Sequence, residues 1–518
     1  MGHRIRRCLA APMVLLALLA GCTAGPSSRP PVAVRDTNLA PPAAPQTPPS
    51  NPPLPPPGTY SRTSLPWREC TAAIAAQLGT APPGKVECAE LRVDTTTAKP
   101  VFGTSLKLDL TRIGDGPAPL VVLADAAEEP GTLRAVRLAG RMPRELLGRF
   151  TLLGLARRGT GPSEPLDCVP KTTRNLIVGF DPDAAEGGRL DDLLDTTRTA
   201  IQTCVQDLGE VLTTINSTGT ADDLEQLRIT LNAPVLNVIS HGEASRAVLD
   251  FLHRYPSSVG RVVLDGAVDP TLDDVAATEA TVGAVDAGYR AFAADCVARG
   301  CPLGADPRAA LAALLGTLRQ TPLQAGWQRV TAGIAYQAVL ETVGDPPRWP
   351  QLAAALAAAR NGDATALAVL VAPMLSRERG LPARFDPALA THCNDTPTRV
   401  PPQRAEQLVH QWQQRWALFG GVFAARLLLC SAWPVPSETP GGTLDQPLPP
   451  VLVVATAGDP ITPADGTRRA SQSLPSATLV FWQGPAHGAL PYSSCVVDLT
   501  TRFLMEASIP KQGTLCPP

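Results

Sequence analysis

The sequence predicts an α/β fold with a mostly parallel sheet, and three observations lead to that prediction. Short apolar or β-branched runs are bounded by Gly, Pro and Asp, as strands usually are. Around the centre, a helical pattern (TADDLEQLRITLNA, 220–233), a strand-like run (PVLNVIS), a second helical pattern and RVVLDG (261–266) alternate. Strand-like runs then return near the C-terminus. Alternation of this kind indicates βαβ units, in which neighbouring strands are parallel.

The first folded part contains four strand-like runs: VECAELRVD (86–94), LKLDLTRI (106–113), PLVVLAD (119–125) and FTLLGLARRG (150–159). After PVLNVIS, apolar residues recur at helical spacing until Pro256 ends the pattern: Ala244, Ala247, Val248, Phe251 and Leu252. The returning strands are PVLVVATA (450–457) and ATLVFWQG (477–484).

Between the two groups of strands, from about Asp269 to Leu448, Ala- and Leu-rich helical segments replace the strand pattern. They could form a separate helical domain or a lid inserted into the sheet domain, and the return of strands favours the lid. A lid over the C-terminal edge of a parallel sheet would shape a ligand pocket. We therefore predict a core with a mostly parallel sheet and flanking helices over 63–270 and 448–518, with a helical lid over 271–447.

The N-terminus has the layout of an export signal: a basic start, an apolar run from Cys8 to Ala20, and Leu19-Ala20-Gly21-Cys22, which resembles a bacterial lipobox. It predicts a lipoprotein signal peptide over 1–21, lipidation of Cys22 and a Pro-rich tether over 22–62. The alternative is an ordinary signal peptide. Either way we expect an exported protein, anchored to the outer face of the cell membrane or released from it.

Composition limits the partners and the cofactors. Removing the three arginines of the signal leaves 42 basic against 47 acidic residues, a net charge of −5, which does not suit nucleic acid. Ten cysteines remain beyond Cys8 and Cys22, and an even number in an exported chain predicts five disulfides, paired most simply in chain order. They are Cys70, Cys88, Cys168, Cys204, Cys296, Cys301, Cys393, Cys430, Cys495 and Cys516. Because these cysteines are scattered and not clustered with histidine, we predict no metal and no cofactor.

A candidate nucleophile, Ser240, ends the run PVLNVIS at a strand-to-helix corner. Hydrolases with this corner carry Gly-x-Ser-x-Gly, whereas here Val238 precedes and Gly242 follows the serine at the matching spacing. A serine hydroxyl needs a base that takes its proton and a carboxylate that orients the base. Both would follow the serine along the chain.

The base and the carboxylate are predicted from strand ends. His487, in GPAHGAL, is the histidine that follows the last strand-like run, and Asp459, in TAGDPITP, follows the strand before it. Asp465 is the alternative acid, although Pro463 indicates that a helix begins there. The sequence therefore predicts a triad of Ser240, Asp459 and His487.

From about Trp67 onward the chain resembles the secreted α/β-hydrolase peptidases of actinobacteria, the tripeptidyl-aminopeptidase and proline-iminopeptidase-like family. The likeness rests on EPLDC after RRGTG, TADDLEQLR, VVLDGAVDP, GDPITP and the ending SSCVVDLTTRFLMEASIPKQGTLC. It implies a serine peptidase that releases short peptides from free N-termini through an acyl-enzyme. It also implies Ser240, Asp459 and His487 as nucleophile, orienting acid and base.

Two departures from the family concern the oxyanion hole and a turn. The family's Gly-Gly-Pro-Gly loop is replaced by Glu128-Glu129-Pro130-Gly131, and we expect the oxyanion amides to be those of Glu129 and His241. Loss of one such donor costs about a hundredfold to a thousandfold in rate. One of the two glutamates could instead receive a substrate's N-terminal ammonium, or both could face solvent. Ala156 replaces the Asp of an Asp-x-Arg-Gly turn.

The leading hypothesis is a cell-envelope serine peptidase acting on a peptide or small acyl substrate. One alternative is a catalytically impaired relative that binds peptides or cell-wall components through the same pocket, as a lipoprotein. Another is a carboxylesterase, because the same triad transfers acyl groups from esters.

Overall fold

The structure is a computed structural model that describes residues 52–95, 105–436 and 447–518. The strands are β1 Arg68–Glu69, β2 Glu87–Asp94, β3 Ser105–Ile113, β4 Ala118–Leu123, β5 Phe150–Leu155, β6 Leu236–His241, β7 Val259–Asp265, β8 Leu323–Ala325, β9 Gln328–Val330, β10 Val451–Thr456, β11 Ala477–Trp482 and β12 Thr514–Cys516. The helices are α1 Thr71–Leu78, α2 Gly131–Ala139, α3 Arg144–Arg149, α4 Lys171–Val178, α5 Leu190–Leu208, α6 Ser217–Thr230, α7 Ser245–Arg254, α8 Asp274–Ala298, α9 Pro307–Gln320, α10 Ala332–Val343, α11 Trp349–Arg360, α12 Thr365–Leu375, α13 Phe385–Asp395, α14 Pro402–Arg415, α15 Gly420–Arg426, α16 Ala464–Gln472 and α17 Ser494–Glu506.

Ten strands form one sheet in the order β1-β2-β3-β5-β4-β6-β7-β10-β11-β12. The first three strands are antiparallel to their neighbours, and all pairings from β5 to β12 are parallel. Strands β4 to β7 and β10 are buried on both faces, which explains why they are mostly apolar and show no regular alternation of apolar and polar residues. The predicted α/β-hydrolase fold is confirmed, and each strand that the sequence predicted is present.

The helical lid packs around its own hydrophobic core. Helices α8 to α15 lie between β7 and β10 in the chain, as predicted for an insertion. The core of the lid also includes Leu166, Ile177, Leu193 and Ile215, which precede β6. The segment 166–215, which the sequence analysis assigned to the hydrolase core, therefore packs with the lid, because its apolar side chains face α8 to α15.

Residues 55–61 pack against the sheet domain and do not continue the predicted tether. The amide of Asn237 donates to the carbonyl of Pro57 at 2.9 Å, and the guanidinium of Arg261 donates to that of Pro55 at 3.2 Å. Tyr60 is buried. The prediction that the tether extends to residue 62 is thus wrong for residues 55–61. A proline has no N–H to donate, but its carbonyl can still accept a hydrogen bond, and here two proline carbonyls accept bonds from side chains of the sheet domain. The signal peptide and Cys22 lie outside the described residues.

Five disulfides join the ten cysteines in chain order, as the simplest pairing predicted: Cys70–Cys88, Cys168–Cys204, Cys296–Cys301, Cys393–Cys430 and Cys495–Cys516. Two of them stabilise the lid, since Cys168–Cys204 ties the segment before α4 to α5 and Cys393–Cys430 ties α13 to the end of the α15 region. Among the described residues, no single helix has the length and composition to span a membrane; only the bent pair Pro346–Arg360 and Thr365–Leu375 passes that criterion together.

Candidate active site

The predicted acid and base meet at the C-terminal edge of the sheet. Asp459 follows β10 and His487 follows β11, and the Nδ1 atom of His487 lies 3.0 Å and 3.1 Å from the two Asp459 oxygens. The Asp459 carboxylate also accepts bonds from the backbone amides of Ile461, Thr462 and Gly488 at 2.8–2.9 Å. The carboxylate is thus fixed against the imidazole, as an orienting acid should be. Asp465, the alternative acid, lies in the first turn of α16, where it is exposed and pairs with Arg468.

Ser240 is not part of this arrangement. It lies inside β6, where it pairs with Leu123 of β4 and Leu264 of β7. Its hydroxyl is fully buried and has no hydrogen-bond partner among the described residues. The prediction of Ser240 as the nucleophile is therefore wrong, because the strand continues through Ser240 and turns only after His241.

Gly242 occupies the corner between β6 and the helix that follows. Its φ is +57°, in the left-handed region, whereas the residues on either side have ordinary backbone angles. The elbow of an α/β-hydrolase places its nucleophile at such a strained strand-to-helix turn, with small residues two positions before and after. Ser240 and Ala244 are those small residues here, so the residue in the nucleophile position is Gly242.

A carboxylate from a neighbouring strand fills the space in front of Gly242. A Cβ built on Gly242 would lie 2.5 Å from both oxygens of Asp125, which follows β4. One Asp125 oxygen lies 3.1 Å from Nε2 of His487, and the other accepts a bond from the amide of Ala244 at 3.2 Å. Asp125 therefore contacts the base in the place where a serine hydroxyl would.

The predicted oxyanion donors are not arranged as expected. His241 is the last residue of β6, with its backbone in the sheet beside Asp265. Glu129 turns its carboxylate to Arg137 at 2.7 Å, whereas Glu128 faces the site and lies 3.3 Å from Nε2 of His241. The assignment of an oxyanion amide to His241 is therefore wrong, because the turn comes one residue after His241, whereas the assignment of the other to the backbone amide of Glu129 stays a prediction.

The amides that do point toward the elbow are bonded to carboxylates of the chain itself. Ala126 donates to Glu243 at 3.4 Å, in addition to the bond from Ala244 to Asp125. Glu243 is fixed by buried Arg157, whose two terminal nitrogens lie 2.6 Å and 3.3 Å from its oxygens. An oxyanion would have to displace these carboxylates before it could use the amides.

The turn after β5 survives the replacement of Asp by Ala156. Gly159 has a φ of +79°. Arg158 makes a two-pronged ion pair with Asp223 of α6, at 2.8 Å and 2.9 Å, and both side chains are buried. The predicted turn is therefore present, and the ion pair of Arg158 with Asp223 stabilises it.

Carboxylates control the charge of His487. Burial alone would lower the pKa of the imidazole, but the attraction of Asp459, the hydrogen bonds to Asp125 and Asp459 and the charge of Glu128 outweigh burial and raise that pKa well above its ordinary value. Burial would likewise raise the pKa of Glu128, but His241, His487 and Arg134 lower it well below the usual range. These carboxylates therefore favour the protonated form of His487.

A cavity of about 1660 Å³ lies between the sheet edge and the lid and opens onto this site. Its walls include Asp125, Glu128, His241 and His487 from the core. The lid contributes both signs of charge: Glu341, Asp345, Arg348, Arg384 and Arg426. The lid also contacts the site directly, since the amide of His487 donates to the carbonyl of Gly344 at 2.8 Å.

Several known proteins are similar to this chain. The sequence model of the family described as TAP-like protein matches residues 416–516. The serine protease Hip1 of Mycobacterium tuberculosis is 25% identical over 465 residues, covering 84% of this chain and 88% of the relative. Carboxylesterase B of the same organism is 26% identical (87% and 90% covered), and the tripeptidyl aminopeptidase of Streptomyces coelicolor is 24% identical (88% and 87%). An α/β-hydrolase fold protein from Nakamurella multipartita superposes over 81% of this chain and all of its own, at 13% identity and a TM-score of 0.33.

The chain thus has the α/β-hydrolase fold and is similar to proteins named serine protease, carboxylesterase and tripeptidyl aminopeptidase, in agreement with the class predicted from the sequence. Within that class, the chain carries the TAP-like region, and the predicted resemblance to the tripeptidyl-aminopeptidase family is confirmed.

Sequence reasoning missed Gly242 and Asp125. A signal for Gly242 existed, because Ser240-His241-Gly242-Glu243-Ala244 has small residues at both ends of the five and a glycine at its centre. The prediction centred the five-residue elbow motif on Ser240 and not on Gly242. No comparable signal points to Asp125, whose role depends on the neighbouring strands β4 and β6 bringing it to the elbow.

Proposed function

We propose that this protein binds short peptides in the cavity beneath its lid and that it does so without forming an acyl-enzyme on a serine. Gly242 at the elbow is the observation that carries this proposal. The family's acyl transfer needs a hydroxyl in that position within reach of the base. Here the base His487 contacts the carboxylate of Asp125, and Ser240, the serine nearest to Gly242 in sequence, lies buried in β6.

The size and charge of the cavity support a peptide ligand. Pockets for small ligands usually measure about 300–1,000 Å³, so a cavity of about 1660 Å³ has room for an extended ligand. Glu128, Glu341 and Asp345 offer carboxylates to an N-terminal ammonium, and Arg348 and Arg384 offer guanidiniums to a carboxylate or to peptide carbonyls. The relatives named for peptide cleavage agree with a peptide as ligand.

A second candidate function is the serine peptidase activity that the relatives' names describe. The orienting pair of Asp459 and His487 favours it, because that pair is fully formed. The two candidates differ in one property: a peptidase of this class carries an activated serine that reacts with a fluorophosphonate.

We expect no fluorophosphonate labelling of the purified protein, and the Ser240→Ala variant should give the same result. A known serine hydrolase serves as the positive control for the probe. In parallel, calorimetric titration with tripeptide amides should give binding that N-acetylation weakens at least about tenfold, because one lost ammonium–carboxylate contact of about 1.4 kcal/mol has that effect. Labelling that Ser240→Ala removes would contradict the proposal and restore the peptidase.

We further propose that the mature chain is a lipoprotein at the outer face of the cell membrane. The lipobox-like Leu19-Ala20-Gly21-Cys22 and the five disulfides support export and anchoring. A Cys22→Ala chain expressed in a bacterial host should lose incorporation of labelled fatty acid and leave the membrane fraction, and Cys8→Ala serves as the matched control. Incorporation that persists in Cys22→Ala would rule out this anchor.

A further inference from the structure

We propose that the altered elbow is a binding site for a divalent metal ion of the zinc type, held by His241, His487 and Glu128, with Asp125 beside them. Suitable ligand atoms of the first three residues all lie within 4.8 Å of one another. The sequence predicted no metal because its cysteines are not clustered with its histidines. The two histidines are 246 positions apart in the chain and meet only in the folded sheet edge, where their rings lie 4.2 Å apart between centroids.

The distances between ligand atoms fit a tetrahedral ion. Zinc bonds to nitrogen and oxygen are about 2.0–2.2 Å long, so two ligand atoms on one ion are about 3.3 Å apart. Nε2 of His241 lies 3.3 Å from one Glu128 oxygen, and Nε2 of His487 lies 3.9 Å from the other. Asp125 lies 3.1 Å from that same nitrogen of His487. Glu128 belongs to a loop and is partly exposed, so its carboxylate can adjust by the few tenths of an ångström required.

Each imidazole also has an outer carboxylate on its far side. Nδ1 of His487 bonds to Asp459, and Nδ1 of His241 lies 3.7 Å from Asp265. Metal-bound histidines usually direct the second ring nitrogen to a carboxylate, which fixes the tautomer and leaves Nε2 free for the ion. His487 has this arrangement, whereas Nδ1 of His241 lies near Asp265 without a hydrogen bond among the described residues. The Nε2 atoms of both rings lie near the Glu128 carboxylate.

The charge around this point favours a cation. Four carboxylates surround the two rings, Asp459 and Asp265 on the outer side and Asp125 and Glu128 on the inner side. Among the described residues, the guanidinium that contacts this cluster is that of Arg134, 3.3 Å from Glu128. Catalytic zinc sites can use two histidines and one carboxylate as protein ligands and leave the fourth coordination position open. The open position here faces the cavity beneath the lid.

The test is metal binding by the purified, tag-free protein. After dialysis against a chelator, the protein is titrated with ZnCl₂ and with CoCl₂, and bound metal is counted by mass spectrometry while cobalt absorption reports the coordination. We expect about one zinc per chain and a cobalt spectrum of a four-coordinate site. Glu128→Gln, His241→Gln and His487→Gln should each weaken binding by at least about tenfold, since even outer-shell changes cost 10- to 100-fold.

His392→Gln is the matched control. His392 lines the same cavity and pairs with Asp274 at 3.2 Å, but it lies outside the cluster, so its loss should leave the zinc count unchanged. Each variant is compared by circular dichroism, and the partly exposed Glu128 provides a variant with little risk to folding. Zinc uptake that survives in the His241→Gln/His487→Gln double variant, or no zinc uptake by the unaltered protein, would overturn the proposal. Neither result depends on whether peptides bind.

Discussion

The chain with Gly242→Ser and Asp125→Gly together is expected to react with fluorophosphonates, although the unaltered protein does not. A serine at position 242 would stand at the elbow, and removal of Asp125 would free Nε2 of His487 to accept its proton. Loss of Asp125 also removes a carboxylate that raises the pKa of His487. We expect labelling at least about a hundredfold above the unaltered protein, the lower end of what a positioned base contributes.

The single variants separate the two requirements. Gly242→Ser alone should stay unreactive, because its Cβ would lie 2.5 Å from the Asp125 oxygens. Asp125→Gly alone has no hydroxyl at the elbow and should also stay unreactive. Labelling of Asp125→Gly that disappears with Ser240→Ala would show instead that Ser240 can reach the base. Thermal unfolding of each variant verifies that the elbow is folded.

Asp386→Ala should lower the free energy of unfolding by about 3–5 kcal/mol, a large effect for a single substitution. Asp386, in α13 of the lid, is fully buried and accepts bonds from Arg174 and from the amides of Cys168 and Val169 at 2.9 Å and 2.8 Å. Truncation would leave the buried guanidinium of Arg174 with the half-exposed Asp167 and a distant carbonyl. Removing one partner of a buried ion pair costs this much because the other charge loses its compensation.

A matched control for Asp386→Ala is Asp191→Ala. Asp191 pairs with Arg189 at 3.4 Å, and both side chains are mostly exposed, so the loss should stay within about 1 kcal/mol. Thermal and denaturant unfolding of both variants, with the disulfides intact, gives the comparison. Equal stability of the two variants would show that segment 166–215 is not attached to the lid through Asp386.

Much of the core could be predicted from local patterns. The runs at β4, β6, β7 and β10 are mostly apolar, because strands buried on both faces have few polar positions, and each was found where it was expected. Asp459 and His487 were also predictable, because residues that follow parallel strands gather at one edge of the sheet. The lid was harder to delimit. Segment 166–215 has helical patterns but nothing local that says which domain it packs against.

The elbow shows where local patterns fail. Ser240 and Gly242 are two residues apart, and in a strand both would point to the same face of the sheet. Only the backbone angle at Gly242 tells which of them occupies the turn. Asp125 and Glu128 become part of the site because β4 pairs directly with β6, a contact between residues more than a hundred positions apart.

Periodicity, cysteine count and chain order predict the fold class, the five disulfides, and the histidine and aspartate at the strand ends. The residue in the nucleophile position and the carboxylates that face the base depend instead on a turn of the backbone and on the pairing of distant strands. These long-range contacts place oxygens of Asp125 and Glu128 3.1 Å and 3.9 Å from Nε2 of His487. At such distances a glycine where a serine would be, and an aspartate beside it, change the chemistry of the site.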